Sequence, residues 1–228
     1  MTELLRKIRT RGNWEVVIRP NTFVADRVAD ISELASIIET NVVRIRGWEF
    51  PHIDSRSSIT FGRDFISQES EWQHHKGFWR LYQSGQFFYA VSLAIDWRDE
   101  STVWPADADW HHGQLLGVGE TIFQFAELFA FASRLGVSKA GDRYMHVGVV
   151  LRGLRDRQLY IDSSRNRWPF HYAHKASISE FPIAIDKSQT ELVAHHTDLG
   201  LDSAKELFKR FGWNPSRDEL ADWLEKRG

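Results

Sequence analysis

The chain has 228 residues, of which 42% are hydrophobic and 13% aromatic, which is enough apolar material for one large domain. Lysine and arginine total 29 against 31 aspartates and glutamates, so no overall charge points to nucleic acid or to an anionic membrane. The absence of cysteine excludes disulfides, thiolate nucleophiles and cysteine-ligated metal sites. No apolar signal core follows the basic N-terminus, and no long uncharged apolar stretch occurs, which predicts a cytoplasmic protein without a membrane partner.

The first part of the chain predicts short helices and strands in alternation. Residues 3–9 fit a short helix, and residues 14–19 fit a strand. Apolar residues spaced by three and four predict a second helix from residue 31 that ends near Asn41. Residues 42–50 alternate apolar and polar side chains before a proline, and this pattern predicts a strand.

The most informative segment is residues 78–91, where two runs rich in aromatic and β-branched residues flank Ser84 and Gly85. This pattern predicts a β-hairpin closed by a two-residue turn, with Leu81 opposite Phe88. Neither face of such a hairpin is polar, so we expect both faces to be covered and the hairpin to lie centrally in a sheet.

The second half of the chain predicts a long buried helix, a second hairpin and a pair of C-terminal helices. Residues 119–135 are apolar at nearly every position, with the polar exceptions along one narrow stripe. Residues 144–151 and 158–161 are expected to form a hairpin across a basic loop, and residues 181–185 a further strand. Residues 201–228 predict a helical hairpin.

Taken in order, these elements predict one α+β domain over residues 1–228. It has a largely antiparallel sheet, a long buried central helix and a C-terminal helical hairpin.

Two stretches of the sequence are distinctive: RGWEFPHI at residues 46–53 and WRLYQSGQF at residues 79–87. They resemble a family of uncharacterised prokaryotic proteins that share an RGW-x-FPHI stretch and a WR-x-YQSGQF stretch. The runs RGNWEVVIRP at residues 11–20 and ELFAFA at residues 127–132 look similar to that family too. The resemblance implies an intact, cytoplasmic prokaryotic protein, and it brings no reaction or catalytic residue with it.

Nucleic acid is the most specific candidate ligand, because residues 139–175 hold eight basic residues against three acidic ones. Arginines that track a phosphate backbone beside a stacking tryptophan are typical of such sites. The predicted contact residues are Arg44, Arg46, Trp48, Arg152, Arg155, Arg157, Arg165 and Arg167. In the alternative interpretation, Trp48 packs in the core and the arginines solvate an edge strand.

An acidic, histidine-containing segment is the candidate for a metal site, since Asp107, Asp109, His111 and His112 combine oxygen and imidazole ligands. These four residues are too close in sequence to surround an ion unaided, so we expect a solvated loop, no tightly held metal and no cofactor. With a metal bound, this segment would instead indicate a metal-dependent hydrolase.

Carboxylates and tryptophans complete the set of candidates. Glu127 is the one carboxylate of the apolar helix whose setting could raise its pKa usefully, and exposure or a structural ion pair is favoured over catalysis. The ten tryptophans either anchor loops to the core or form an interface. The sequence therefore predicts a non-catalytic binding or accessory module whose partner is nucleic acid, another protein or a second copy of the chain.

Overall fold

The computed structural model describes residues 1–161 and 169–225. The helices are α1 (Glu3–Ile8), α2 (Glu33–Asn41), α3 (Val118–Val137), α4 (Gln189–Lys209) and α5 (Arg217–Glu225). The strands are β1 (Asn13–Pro20), β2 (Thr60–Phe61), β3 (Phe65–Trp72), β4 (His75–Tyr82), β5 (Phe87–Ser92), β6 (Leu115–Gly117), β7 (Tyr144–Arg152), β8 (Gln158–Tyr160) and β9 (Glu180–Ser188). A 3-10 helix at Ala94–Glu100 follows β5.

Seven strands form one sheet in the order β2-β3-β4-β5-β1-β7-β9, and each neighbouring pair is antiparallel. The interior strand β1 buries Trp14, Val16 and Ile18 and leaves the residues between them half-buried. This alternation is typical of a sheet with one face in the core. Because a continuous core joins the sheet to the helices, the predicted α+β fold with a largely antiparallel sheet is confirmed.

Helix α3 is buried on nearly all sides, as its almost continuous apolar sequence predicts. On the sheet side, the ring centres of Phe131 and Phe87 lie 4.7 Å apart. Helix α4 packs on another side, where a Cβ atom added to Gly200 would lie 3.2 Å from the Cα atom of Ala126. A residue without a side chain at this point lets the two helix backbones approach closely.

The C-terminal helical hairpin, predicted over residues 201–228, is formed by α4 and α5. The Glu219 amide donates to the Ser216 hydroxyl at 3.1 Å and the Ser216 amide donates to the Glu219 carboxylate at 2.7 Å, so the predicted capping box opens α5. Helix α4 begins earlier than expected because Ser188 and Glu191 form another capping box.

The central hairpin is covered on both faces, as predicted. Side chains on one face pack with α3, while Phe78 and Ala90 on the other pack with α1. Its register, however, differs by one residue from the prediction, because Leu81 pairs with Phe87 rather than Phe88. The connection contains three residues, with Gly85 in the left-handed region at φ 85°, and a three-residue loop of this kind carries a bulge that shifts the pairing.

Replacing Gly85 with alanine is expected to lower the free energy of unfolding by at least about 2 kcal/mol, since both backbone conformation and space oppose a side chain there. A Cβ atom at this position would lie 2.0 Å from the carbonyl oxygen of Ala140. Gly212 is the matched control, because its φ is 75° and no atom lies within 4 Å of its Cβ position. Urea denaturation of Gly85→Ala and Gly212→Ala compares the two, and equal losses would contradict the close approach to Ala140.

Two predicted elements are wrong. Residues 42–50 do not form a strand of the sheet; they make a loop closed by a single bridge between Val43 and Phe50, with Gly47 at φ 95°. The second hairpin is also absent from the described residues, because β7 pairs with β1 and β9, and β8 pairs in parallel with β6. Both edges of β7 are occupied, one by β1 and the other by β9, so β8 has no place beside it.

Membrane insertion through a helix finds no support in the described part of the chain. None of its helices is both long enough and apolar enough to cross a bilayer.

Candidate functional site: an aromatic cleft over helix α3

A cleft of about 380 Å³ opens between the sheet, helix α3 and the loop before β2. This volume falls within the range of roughly 300–1,000 Å³ that is typical of small-molecule sites. It is lined by five large aromatic residues, Trp14, Trp48, Phe50, Trp72 and Tyr89, and by charged groups that include Arg46, Glu120 and Glu127. A second cavity, near Trp104 and Trp223, has about 40 Å³ and holds a few waters at most.

One wall of the cleft is the segment 42–58, which we call the cleft loop. Buried Gln68 of β3 holds it by donating to the carbonyl oxygens of Asp54 at 2.9 Å and Ser57 at 2.6 Å. The indole of Trp79 donates to the His52 carbonyl at 3.1 Å, and Arg134 of α3 donates to the Val42 carbonyl. The loop is therefore fixed to strands and helix along its length, although it contains no strand.

A buried ion pair joins the cleft loop to α3. Arg46 Nε lies 3.0 Å from Glu127 Oε1, and Arg46 Nη2 lies 2.5 Å from Glu127 Oε2. The Glu127 side chain is fully buried and that of Arg46 is 15% exposed. A paired and hydrogen-bonded charge is the form in which a carboxylate is found in a core. This is the structural pairing favoured for Glu127 from the sequence.

Three residues that line the cleft each have a buried polar atom without a hydrogen-bond partner within the described residues: Gln124 Nε2, His75 Nε2 and Ser92 Oγ. The Gln124 side chain accepts from Arg46 Nη2 at 3.1 Å through its oxygen, so its NH₂ group is directed to the other side of the amide. Gln124 is 7% exposed. A buried donor without a partner is uncommon and needs an acceptor from outside the described chain, either a water molecule or a ligand.

Two side chains of the cleft, His75 and Tyr89, have strongly shifted pKa values, and both are uncharged near neutral pH. Burial, followed by the neighbouring histidines His52 and His74 and the charge of Arg46, lowers the pKa of His75 to about 4. Burial also raises the pKa of the Tyr89 hydroxyl well above its usual range. Both side chains therefore offer neutral hydrogen-bonding groups and are poor proton-transfer groups at pH 7.

His75 is expected to make the folded state less stable as the pH falls from about 6.5 to about 4. In this window the unfolded chain binds a proton on His75 that the folded chain does not, so unfolding becomes easier with acid. Urea denaturation at pH 7 and near pH 4.5 should show a smaller loss for His75→Gln than for the unsubstituted protein. Exposed His111→Gln is the control, and an equal loss in both variants would contradict the burial of the His75 ring as the cause.

The residues predicted to bind nucleic acid are brought together only in part. Arg46 and Trp48 line the cleft, with the guanidinium 5.4 Å from the ring centre of Trp48. Trp48 is 58% exposed, so the alternative in which it packs in the core is wrong. Exposed Arg44 pairs with Glu49 of the same loop.

Arg152 and Arg157 do not extend that surface. Arg152 pairs with Glu180 at 2.5 Å. Buried residues that pack toward α3 alternate along β7 with less buried ones, and Arg152 is one of the latter, so it faces the opposite side of the sheet. Arg155 is exposed. The expectation that Arg157 reaches a phosphate backbone is wrong, since its side chain is 1% exposed. Arg165 and Arg167 lie outside the described residues.

Arg157 is buried because it pairs with Asp96. Its Nη1 atom lies 2.8 Å from Asp96 Oδ1, and its Nη2 atom contacts Asp96 Oδ2. The same carboxylate accepts from the amides of Gly12 at 2.9 Å and Gly113 at 3.0 Å. Arg157 also donates to the Leu115 carbonyl at 2.7 Å. This network ties the start of β1, the 3-10 helix and β6 together.

The acidic segment considered for a metal has ordinary loop contacts. Asp107 lies 3.1 Å from Arg98, and the His111 amide lies 3.3 Å from the Gln114 side chain. Asp109, His111 and His112 are exposed. Across residues 1–161 and 169–225, no three histidine, aspartate or glutamate side chains are grouped to hold a metal ion.

The loop tryptophans divide between the two roles considered for them. Trp97 is buried, and Trp110 donates to the Ile95 carbonyl at 3.2 Å, so both anchor their loop. Trp72 is 46% exposed at the mouth of the cleft, where the Arg56 guanidinium lies 5.7 Å from its ring centre. Trp48 and Trp72 are thus the two exposed tryptophans at the cleft.

The sequence patterns do not identify Gln124, His75 or Gln68 as site residues. Gln124 had a signal, because a polar residue within an apolar helix needs a buried partner or a ligand. His75 and Gln68 had none, since each alternates within an ordinary strand pattern.

No match is found for this chain among models of known protein families, curated proteins or solved structures. The function is therefore inferred from the site itself.

Proposed function

We propose that the protein is a binding module that takes up a small organic molecule in the aromatic cleft. The observation that carries this proposal is the unpartnered, buried amide nitrogen of Gln124 at the wall of a cleft of about 380 Å³. An apolar cavity with a few convergent polar groups is the usual form of a small-molecule site. The neutral state of His75 and Tyr89 at pH 7 supports binding rather than acid–base catalysis.

The ligand contacts are assigned to three sets of residues. Phe50, Tyr89 and Trp14 supply apolar ring surface in the interior. Gln124 and His75 supply hydrogen bonds. Trp48 and Trp72 flank the mouth, where large exposed aromatic side chains are typical of a surface that a ligand or partner covers. The lack of cysteine is consistent with our proposal of a cytoplasmic location.

The proposal is tested by filling the cleft. Ala94 lines it, so Ala94→Trp should abolish binding of the compounds that ligand-observed NMR detects in a panel of small aromatic molecules. Ala108→Trp, in the exposed loop, is the matched control and should bind as the unsubstituted protein does. Binding that survives Ala94→Trp, or no binding by any compound, would contradict the proposal.

Nucleic acid is less favoured as the ligand, because Arg44, Arg46 and Arg152 are paired with carboxylates and Arg157 is buried. Phosphate contacts depend on accessible positive charge and make affinity fall steeply with salt. Titration of labelled single-stranded DNA and RNA at about 50 mM and about 200 mM salt distinguishes the two ligands. Salt-sensitive binding that Arg155→Glu weakens would favour nucleic acid.

A further inference from the structure

We propose that the molecule bound in the cleft is an uncharged, flat ring compound that carries a hydrogen-bond acceptor, such as an aromatic amide or a neutral heterocycle. This inference rests on the proposed function and narrows the ligand by charge, by shape and by hydrogen-bonding group.

The charge follows from the pairing inside the cleft. Of the charged groups that line the cleft, Arg46 is compensated by Glu127, Arg56 lies 3.0 Å from Asp54, and Glu49 pairs with Arg44. An anionic ligand would meet guanidinium groups that already have carboxylate partners. Bringing a charge into a cavity without an available opposite charge costs several kcal/mol, so an anion is disfavoured.

The hydrogen-bonding group follows from Gln124. Its amide oxygen is occupied by Arg46, and its buried nitrogen is a donor without a partner in the described chain. An organic cation brings further donors to this position, whereas a carbonyl oxygen or ring nitrogen brings the missing acceptor. This contact thus favours an acceptor over a cation, and a cationic probe tests whether Glu120, a further carboxylate of the lining, outweighs it.

The shape follows from the rings. Phe50 and Tyr89 pack edge to face with centres 5.0 Å apart, and Trp14 packs at 90° on Phe125. Trp48 and Trp72 each present an indole to the same cleft, with an arginine already stacked near it. Aromatic rings in the lining favour a flat partner that makes stacked or edge contacts with them.

The test uses three probes of the same shape: benzamide, which is neutral, benzoate, which is an anion, and benzamidinium, which is a cation. Calorimetry at pH 7 should give at least about tenfold tighter binding for benzamide than for either charged probe, because only the charged probes lose solvation without compensation. Tighter binding of benzoate or benzamidinium, abolished by Ala94→Trp, would overturn the neutral ligand class and leave the proposed function standing. Failure of every small molecule tried, these probes included, would remove both.

The contribution of Gln124 is measured with Gln124→Met, which keeps the length of the side chain and removes the donor. Benzamide affinity should fall about tenfold, as for the loss of one buried hydrogen bond. Binding of α-methylstyrene, which has the shape of benzamide but no acceptor, should not change. Equal losses for both probes would show that the substitution disturbs the cleft generally and would overturn the assigned hydrogen bond. The same hydrogen bond can be tested without a variant, by competition between benzamide and α-methylstyrene on the unsubstituted protein. Tighter binding of α-methylstyrene would overturn the hydrogen bond assigned to Gln124.

Discussion

Arg157→Met is expected to lower the free energy of unfolding by about 3–5 kcal/mol, because it leaves the Asp96 carboxylate buried without its charged partner. Both side chains of the pair are 1% exposed. The substitution also removes hydrogen bonds to the carbonyl oxygens of Gly153 and Leu115. Guanidinium denaturation, analysed at constant slope, measures the loss.

Arg155→Met is the matched control for Arg157, since it changes the same residue type two positions earlier at an exposed site. It should change stability by less than about 0.5 kcal/mol, as surface substitutions generally do. Similar effects of the two substitutions would contradict the buried ion pair and restore Arg157 to the protein surface.

Phe87→Ala is the second substitution with a large expected effect, about 3–5 kcal/mol, as for other deletions of a buried aromatic ring. Phe87 is fully buried and its ring centre lies 4.7 Å from that of Phe131 and 6.3 Å from that of Tyr89. The cavity left by its removal would separate the central hairpin from helix α3.

Comparing Phe88→Ala with Phe87→Ala tests the register of the hairpin. With the two-residue turn expected from the sequence, Phe88 takes the place opposite Leu81, whereas in the structure it is half-buried on the face toward α1. Phe88→Ala should therefore cost less than Phe87→Ala. The reverse order in thermal or denaturant unfolding would support the two-residue turn.

The parts of the fold predicted correctly depend on local patterns. Helix α3 has an apolar residue at nearly every position and the central hairpin has two aromatic runs around a glycine, so neighbouring residues alone determine these elements. The register depends on whether Gly85 is the second residue of a two-residue turn or the bulged residue of a longer one. The sequence of the turn is compatible with both.

The errors arise where a distant residue decides the conformation. Residues 42–50 alternate as a strand does, yet Arg46 is drawn to Glu127, 81 positions away, and the segment becomes a loop. Arg157 lies in a basic run that resembles a surface, and its burial depends on Asp96, 61 positions away. No local pattern encodes either pairing.

The candidate site was predictable to a similar extent. Arg46 and Trp48 were identified as binding residues and do line the cleft. The sequence predicts nucleic acid as their ligand, because it shows the positive charge of Arg46 but not that the carboxylate of Glu127 compensates this charge. Gln124 and His75 become site residues only through the approach of the cleft loop to α3 and β4.

A crystal structure of the protein soaked with a panel of neutral aromatic amides, benzamide among them, tests the central claim most directly. We expect electron density for a ring in the cleft between the cleft loop and α3, with an acceptor atom within hydrogen-bonding distance of Gln124 Nε2. Soaked crystals in which the cleft holds only water while the compounds bind elsewhere, or in which Trp48 and Trp72 close the cavity, would contradict its assignment as the ligand site.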